Sequence, residues 1–177
     1  MSAVSIFDDA LRKVKDFPKK GILFYDITGL LIKQDAFSYC MEKMVKLYEN
    51  RGITKIAAVE ARGFIFASPL ALRLNVPLLL VRKKNKLPGE KLTKSYSLEY
   101  GEDSIEIHKN DIASGDNVLV VDDLIATGGT IKAACELLES AGASIEEIFA
   151  VIGLPFLDYN RKLTRYRIST FINYENE

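Results

Sequence analysis

The sequence predicts an α/β fold, a doubly wound and mainly parallel sheet flanked by helices, on three observations. Apolar runs of strand length alternate with amphipathic stretches of helix length between residues 34 and 154. Residues 117–134, NVLVVDDLIATGGTIKAA, pass directly from a buried-strand pattern through two carboxylates and a glycine-rich turn into a helix pattern. Finally, 177 residues, of which 48% are hydrophobic and 27% charged, suffice for one substantial core and are too few for two ordinary domains.

Taken in order, residues 5–15 carry Ile6, Phe7, Ala10, Leu11 and Val14 as one stripe, which predicts a short helix capped by Ser5 and ended by Phe17-Pro18. In the following FPKKGILFYDIT, the run Ile22, Leu23, Phe24, Tyr25 reads either as packed core or as a wall for a planar heterocycle. An aromatic face would stack on such a ring while main-chain groups read its edge. Residues 34–50 repeat at helical spacing (Phe37, Cys40, Met41, Met44, Val45, Tyr48) and stop at Asn50-Arg51-Gly52. Residues 53–59 then predict a strand and residues 64–74 a helix, joined by Glu60-Ala61-Arg62-Gly63. An Arg beside a Gly at a helix start either caps a neighbour or forks onto a pyrophosphate.

Residues 76–81, VPLLLV, predict a third strand. The polar stretch that follows carries Arg82, Lys83, Lys84, Lys86 and Lys91 around Leu87-Pro88-Gly89; it reads as a solvated face or as a mobile lid that closes over a polyanion. Residues 95–99 and 104–107 alternate as two strands of a hairpin with its turn at 100–103, and His108, the single histidine, is expected to face solvent. After residues 118–121 and the helix at 131–140, which Gly142 stops, residues 145–154 and 166–172 predict the last two strands.

The chemistry is concentrated in residues 122–130. A helix start offers unpaired amides and the positive end of its dipole, and glycines let the main chain wrap an anion, so Ala126, Thr127, Gly128, Gly129 and Thr130 suit a phosphate. Asp122 and Asp123, at the end of the strand, suit vicinal hydroxyls or a magnesium ion reached through water. A sugar phosphate satisfies both halves. The chain contains no G-x-x-x-x-G-K-[ST] and no G-x-G-x-x-G after a strand, so nucleoside triphosphate and dinucleotide folds lose their usual support.

Composition narrows the classes further. With 24 basic and 24 acidic side chains the net charge is zero, which argues against a nucleic-acid partner. Cys40 and Cys135 lack C-x-x-C spacing and read as reduced, buried fillers. No signal-peptide pattern opens the sequence and no apolar run approaches a membrane span, so no membrane association and a cytoplasmic location are expected.

The run VLVVDDLIATGGT resembles the phosphoribosyl-pyrophosphate (PRPP) motif of the type I phosphoribosyltransferases. Together with FPKKGILFYDIT, AAVEARGFIF, VRKKNKLPGE and SYSLEYG, in that order, it makes most of the chain similar to the adenine-specific branch of that family. The resemblance implies a single domain over residues 1–177, with a base-binding hood at 1–30 and a lid and hairpin at 82–107. It implies formation of AMP and pyrophosphate from adenine and PRPP with Mg2+, the ion held mainly by PRPP oxygens and water, in a homodimer.

By the same resemblance, residues 126–130 cradle the 5′-phosphate and Asp122 and Asp123 hold the ribose hydroxyls. Ala61, Arg62, Arg82, Lys83 and Lys86 take the pyrophosphate, in some members across the dimer, and Glu60-Ala61 is a candidate non-proline cis peptide. Phe24 stacks on adenine, with Leu23 C=O and Tyr25 N–H reading N6 and N1. Glu99, assisted by Tyr100, handles the N9 proton, and Arg62 completes the catalytic set. Many relatives carry Arg where this chain has Tyr25. Two alternatives remain at this level: a phosphoribosyltransferase for another purine, and a non-enzymatic PRPP-sensing regulator.

Overall fold

A computed structural model describes residues 3–97 and 101–176. Its centre is a seven-stranded sheet. The strands are β3 (Lys55–Val59), β4 (Leu78–Lys83), β5 (Lys91–Ser97), β6 (Glu102–His108), β7 (Asn117–Ile125), β8 (Ser144–Gly153) and β9 (Ile168–Asn173), in the spatial order β5-β6-β4-β3-β7-β8-β9. From β4 to β9 across the sheet the five neighbours run parallel, while β6 and β5 add an antiparallel hairpin at one edge.

The chain winds both ways from the middle: β3 leads through helix α4 (Gly63–Leu74) to β4 on one side, and β7 leads through α5 (Gly129–Ser140) to β8 on the other. The loops leaving β3 and β7 therefore part in opposite directions, and a crevice opens between them at the carboxyl ends of the strands. This reversal of winding is where open α/β sheets bind ligands.

Two cores follow from strand alternation. Ile56, Ala58, Leu119, Val121, Phe149 and Val151 face α4 and α3 (Gln34–Tyr48); Ala57, Val59, Val118, Val120, Ile148 and Ala150 face the α5 side. Val118 to Val121 have no exposed surface. Each such side chain contributes about 1.5–3 kcal/mol of hydrophobic stabilisation, which pins the strand that carries Asp122 and Asp123. Cys40 and Cys135 are buried and unpaired, as expected.

The N-terminal segment departs from its expected form. The helix predicted over residues 5–15 is α1 (Ala3–Ala10), so Ser5 lies inside it and is not its cap, and Arg12–Lys15 is a strand, β1, paired antiparallel with β2 (Leu23–Asp26). Val14, which completed the helical stripe, is 40% exposed. Residues 12–15 present four exposed positions in a row, so pairing with β2 rather than burial decides their conformation. The reversal between the strands uses Asp16 at φ 60° and a cis Phe17–Pro18 peptide. Asp26 then ends β2 by accepting bonds from Thr28 N–H (3.0 Å) and Thr28 Oγ1 (2.6 Å) at the start of α2 (Thr28–Ile32).

Elsewhere the differences concern extent. The hairpin begins at Lys91, earlier than read, because β5 pairs with β6 along its whole length. β7 continues through both aspartates to Ile125, since Asp123 is buried against a partner and does not emerge into solvent. His108, expected to face solvent, is half-buried at the end of β6. No helix among the described residues is long and apolar enough to cross a membrane.

Candidate active site

The end of β7 and the start of α5 build a cup. Gly128, at φ 74° and ψ 0°, is the residue before the helix; the left-handed turn there lets the chain fold back so that the first amides of α5 face inward. Asp122, Leu124, residues 126–130 and Ile131 line a cavity of about 110 Å³. A phosphate placed there meets main-chain donors and the helix dipole rather than a buried cation.

The loop after β3 closes the other wall. α4 starts so close to β7 that a methyl group on Gly63 would lie 2.7 Å from the Val121 carbonyl oxygen and 3.1 Å from Asp122 Cα. That approach delivers Arg62 to Asp123: its Nε donates to Asp123 Oδ2 at 2.5 Å. Asp123 is almost wholly buried while half of the Arg62 side chain is open to solvent, so one edge of the guanidinium is anchored and the rest is presented outward. Burial works against the Arg62 charge, yet the Asp123 bond, with the fields of Asp123, Asp122 and Asp26, raises its pKa above the usual value. Asp122 behaves differently. Burial first, and then the neighbouring Asp123 charge, push its carboxyl well above the ordinary range, although its Oδ1 accepts the Asp123 N–H at 2.8 Å.

The Glu60–Ala61 peptide is cis, as the resemblance implied. Glu60, which sequence reasoning passed over, organises the basic residues beside it: its Oε2 accepts from Arg82 Nε at 3.0 Å and from Lys83 N–H at 2.6 Å. Burial opposes its charge, but these two bonds and the fields of Arg82 and Lys86 hold its carboxyl below the usual value. Arg82 also lies over the Phe64 ring, 5.7 Å from its centre. The Lys86 side chain is exposed and acts on Glu60 through its field, while its N–H donates to Lys83 C=O at 3.2 Å.

A second omission is Tyr96. Thr130 Oγ1 donates to the Tyr96 hydroxyl (3.1 Å), which donates to Asp103 Oδ2 (3.2 Å), and the same oxygen takes Lys83 Nζ at 3.1 Å. Lys94 pairs with Glu136 on α5 at 2.9 Å. The hairpin is thus fastened to the helix that forms the cup, and Thr130 is linked through two side chains to Lys83. Tyr96 lies inside the SYSLEYG stretch, and only its partners in space mark it out.

Leu23, Phe24 and Tyr25 lie on the two-stranded ribbon rather than on the main sheet. Ile22 C=O accepts from Phe17 N–H, so residue 22 turns its carbonyl toward β1; by strand alternation residues 23 and 25 direct their main-chain groups to the opposite edge. Leu23 C=O and Tyr25 N–H then stand side by side as an acceptor and a donor. The Tyr25 ring is buried and stacks on Tyr174 at 4.0 Å, so the departure at this position goes into packing. Phe24 remains half-buried, with Phe17 edge-on at 5.0 Å. Glu99 and Tyr100 lie outside the described residues. A larger groove of about 760 Å³ between α1 and α3 contains none of the predicted site residues.

Comparison with known proteins agrees with this geometry. The phosphoribosyl transferase domain family matches residues 27–164. An adenine phosphoribosyltransferase of Treponema denticola is 53% identical over 97% of this chain and 90% of its own length. The chain belongs to the adenine phosphoribosyltransferase family. Among solved adenine phosphoribosyltransferases, that of Thermoanaerobacter pseudethanolicus superposes with a TM-score of 0.92 at 47% identity, covering 97% of this chain and 99% of its own. The Saccharomyces cerevisiae structure, complexed with D-2,5-dideoxy-2,5-imino-altritol 1,6-bisphosphate and adenine, gives 0.90 at 38% identity over 96% and 98%. The type I phosphoribosyltransferase fold and the adenine phosphoribosyltransferase activity read from the sequence are therefore those of its relatives.

Proposed function

We propose that the chain transfers the 5-phosphoribosyl group of PRPP to N9 of adenine, yielding AMP and pyrophosphate, and so serves purine salvage. The observation that carries this reading is the meeting, at the reversal of sheet winding, of the cup at residues 126–130, the Asp122–Asp123 pair and the Arg62 loop. The 5′-phosphate occupies the cup, the ribose hydroxyls lie on Asp122 and Asp123, and C1′ faces the crevice. Pyrophosphate is held by Ala61 main chain, Arg62, Arg82, Lys83 and Lys86. Leu23 C=O and Tyr25 N–H read the N6 and N1 edge of adenine, and Phe24 stacks on the ring.

Substitution at C1′ builds positive charge on the ribosyl centre and negative charge on the leaving pyrophosphate. Arg62 and the Glu60-ordered basic cluster neutralise the leaving group, and the Asp122–Asp123 pair favours the ribosyl cation. Glu99, with Tyr100, takes the N9 proton. The hard oxygen donors of Asp122 and Asp123 beside the cup fit a magnesium ion held by PRPP oxygens and reached through water. When bound, that ion supplies charge neutralisation to the departing pyrophosphate.

Residues 1–30 form the hood, residues 82–107 the lid and hairpin, and the protein works as a cytoplasmic homodimer. α4 supports the dimer: it is apolar on most sides, yet Ile65 (38%) and Leu72 (82%) are exposed on it, one turn and more beyond Arg62. Arg82 lies over the ring of Phe64, the residue before Ile65, at the start of the same helix.

A coupled assay of pyrophosphate release with a panel of purines tests the reading. Adenine is expected to be preferred over hypoxanthine and guanine by at least about 10²-fold, since an oxopurine sets its O6 acceptor against Leu23 C=O and leaves polar groups unpaired. Preference for an oxopurine would assign the chain to another base, and PRPP binding without turnover would make it a regulator.

A further inference from the structure

We infer that Tyr174, in the C-terminal segment, is a positioning residue for the purine: it props the base-reading ribbon from behind and sets its distance from the phosphate cup. The inference rests on the proposed adenine site and deepens it. Among the described residues the β1–β2 ribbon pairs with no strand of the main sheet, so something else must fix where Leu23 and Tyr25 stand relative to β7. Tyr174 makes that connection. It follows β9 directly, and its N–H donates to Gly153 C=O at 3.1 Å, which ties its backbone to the carboxyl end of β8.

Its side chain then meets two residues of the ribbon, Tyr25 and Lys13, and one of α1, Asp8. The ring stacks on Tyr25 at 4.0 Å with an interplanar angle of 18°, Lys13 Nζ lies 4.9 Å from the ring centre, and the hydroxyl donates to Asp8 Oδ1 at 2.5 Å. Asp8 also pairs with Lys13 at 2.7 Å. Lys13 and Tyr25 are direct cross-strand partners, so both present side chains on the same face of the ribbon, and Val14 and Phe24 present theirs on the other. Tyr174 therefore supports the face opposite to the one Phe24 offers to the base.

All four members of the cluster, Asp8, Lys13, Tyr25 and Tyr174, fall outside residues 27–164, the part matched to the general phosphoribosyl transferase domain. The cluster thus lies outside the stretch matched to the general domain, as do the proposed base-reading residues Leu23, Phe24 and Tyr25. A first contact to substrate is only as well placed as the packing behind it.

The test is the adenine KM, kcat and the PRPP Kd of Tyr174→Ala, Tyr174→Phe and Asp8→Asn, each with a thermal melt. Tyr174→Ala is expected to raise the adenine KM about 10-fold while the PRPP Kd stays within about twofold; Tyr174→Phe, which keeps the stack and loses the Asp8 bond, raises it about threefold. If Tyr174→Ala does not fold, Tyr174→Phe and Asp8→Asn decide, since both leave the packing in place. An unchanged adenine KM in the folded variants, or a PRPP Kd rising in step with it, overturns the inference while the wild-type activity leaves the proposed function standing. A wild-type protein that forms no AMP overturns both.

Discussion

Gly128→Ala places one methyl group at the hinge of the proposed phosphate cup. Gly128 has φ 74°, where an L-residue with a Cβ costs about 1–2 kcal/mol. The methyl would also stand 3.1 Å from Leu163 Cδ1 and 3.1 Å from Tyr159 Cβ, tighter than ordinary contact, so both neighbours must give by a few tenths of an ångström. Together these effects amount to about 2 kcal/mol. If the native turn is kept, the full cost appears as lost stability, and in a chain of this size Tm falls by about 4–8 °C. If the turn relaxes instead, the amides of α5 swing off the phosphate and the same cost appears in binding, at most about a 30-fold rise in the PRPP Kd. Thermal melts with and without PRPP, together with titration calorimetry, separate the two routes. Gly129→Ala is the contrast, because its methyl would meet nothing closer than 3.9 Å and its φ is ordinary; its Tm is expected to stay within about 1 °C of wild type. A Gly128→Ala protein with unchanged Tm and a PRPP Kd within twofold of wild type would refute the reasoning.

Arg62→Ala removes the exposed half of the guanidinium from the proposed pyrophosphate site and leaves Asp123 buried without its partner; kcat/KM for PRPP is expected to fall about 10²- to 10³-fold in steady-state kinetics, and a loss under threefold would exclude the role. Glu99→Leu is expected to lower kcat by about 10²- to 10⁴-fold, and an unchanged kcat would remove it as the base. Asp8, Asp26, Glu60, Asp103, Asp116 and Glu146 all have carboxyls held below their ordinary values of 3.8 or 4.5, so the unfolded chain binds more protons. Their contribution is complete above those values and is lost as pH falls through the lowered ones; Asp122, raised, acts in the opposite sense. Denaturation midpoints should therefore not fall, and through Asp122 should if anything rise, as pH goes from about 7 to 5, and should drop below about pH 4; a midpoint that holds to pH 3 would contradict the assigned pairs. Sedimentation should give a mass near twice 19.8 kDa, reduced toward the monomer by Leu72→Glu; a monomeric wild type with full activity would end the cross-subunit proposal for Arg82.

The parts of the molecule that were legible in the sequence are those whose signals are local. Val118 to Val121 announce a doubly buried strand by composition alone, and the aspartates, glycines and hydroxyls that follow state the cup's chemistry within nine residues. α3, α4 and β8 were visible for the same reason. The ribbon was not, because Arg12–Lys15 has no buried side and takes its conformation from a partner strand beyond a reversal at Asp16. The supporting contacts were hidden by sequence distance: Glu60 meets Arg82 22 residues on, Tyr96 meets Thr130 after 34, and Tyr174 meets Asp8 across 166. Glu60 was also obscured by its sign, since a carboxylate in a loop proposed to bind an anion reads as out of place until the cations it orders are seen beside it.

The most direct test is a crystal structure with AMP bound. The account predicts the 5′-phosphate within hydrogen-bond distance of the main-chain amides of residues 127–130, and both ribose hydroxyls on Asp122 and Asp123. A phosphate bound elsewhere, with the cup filled only by water, would contradict it.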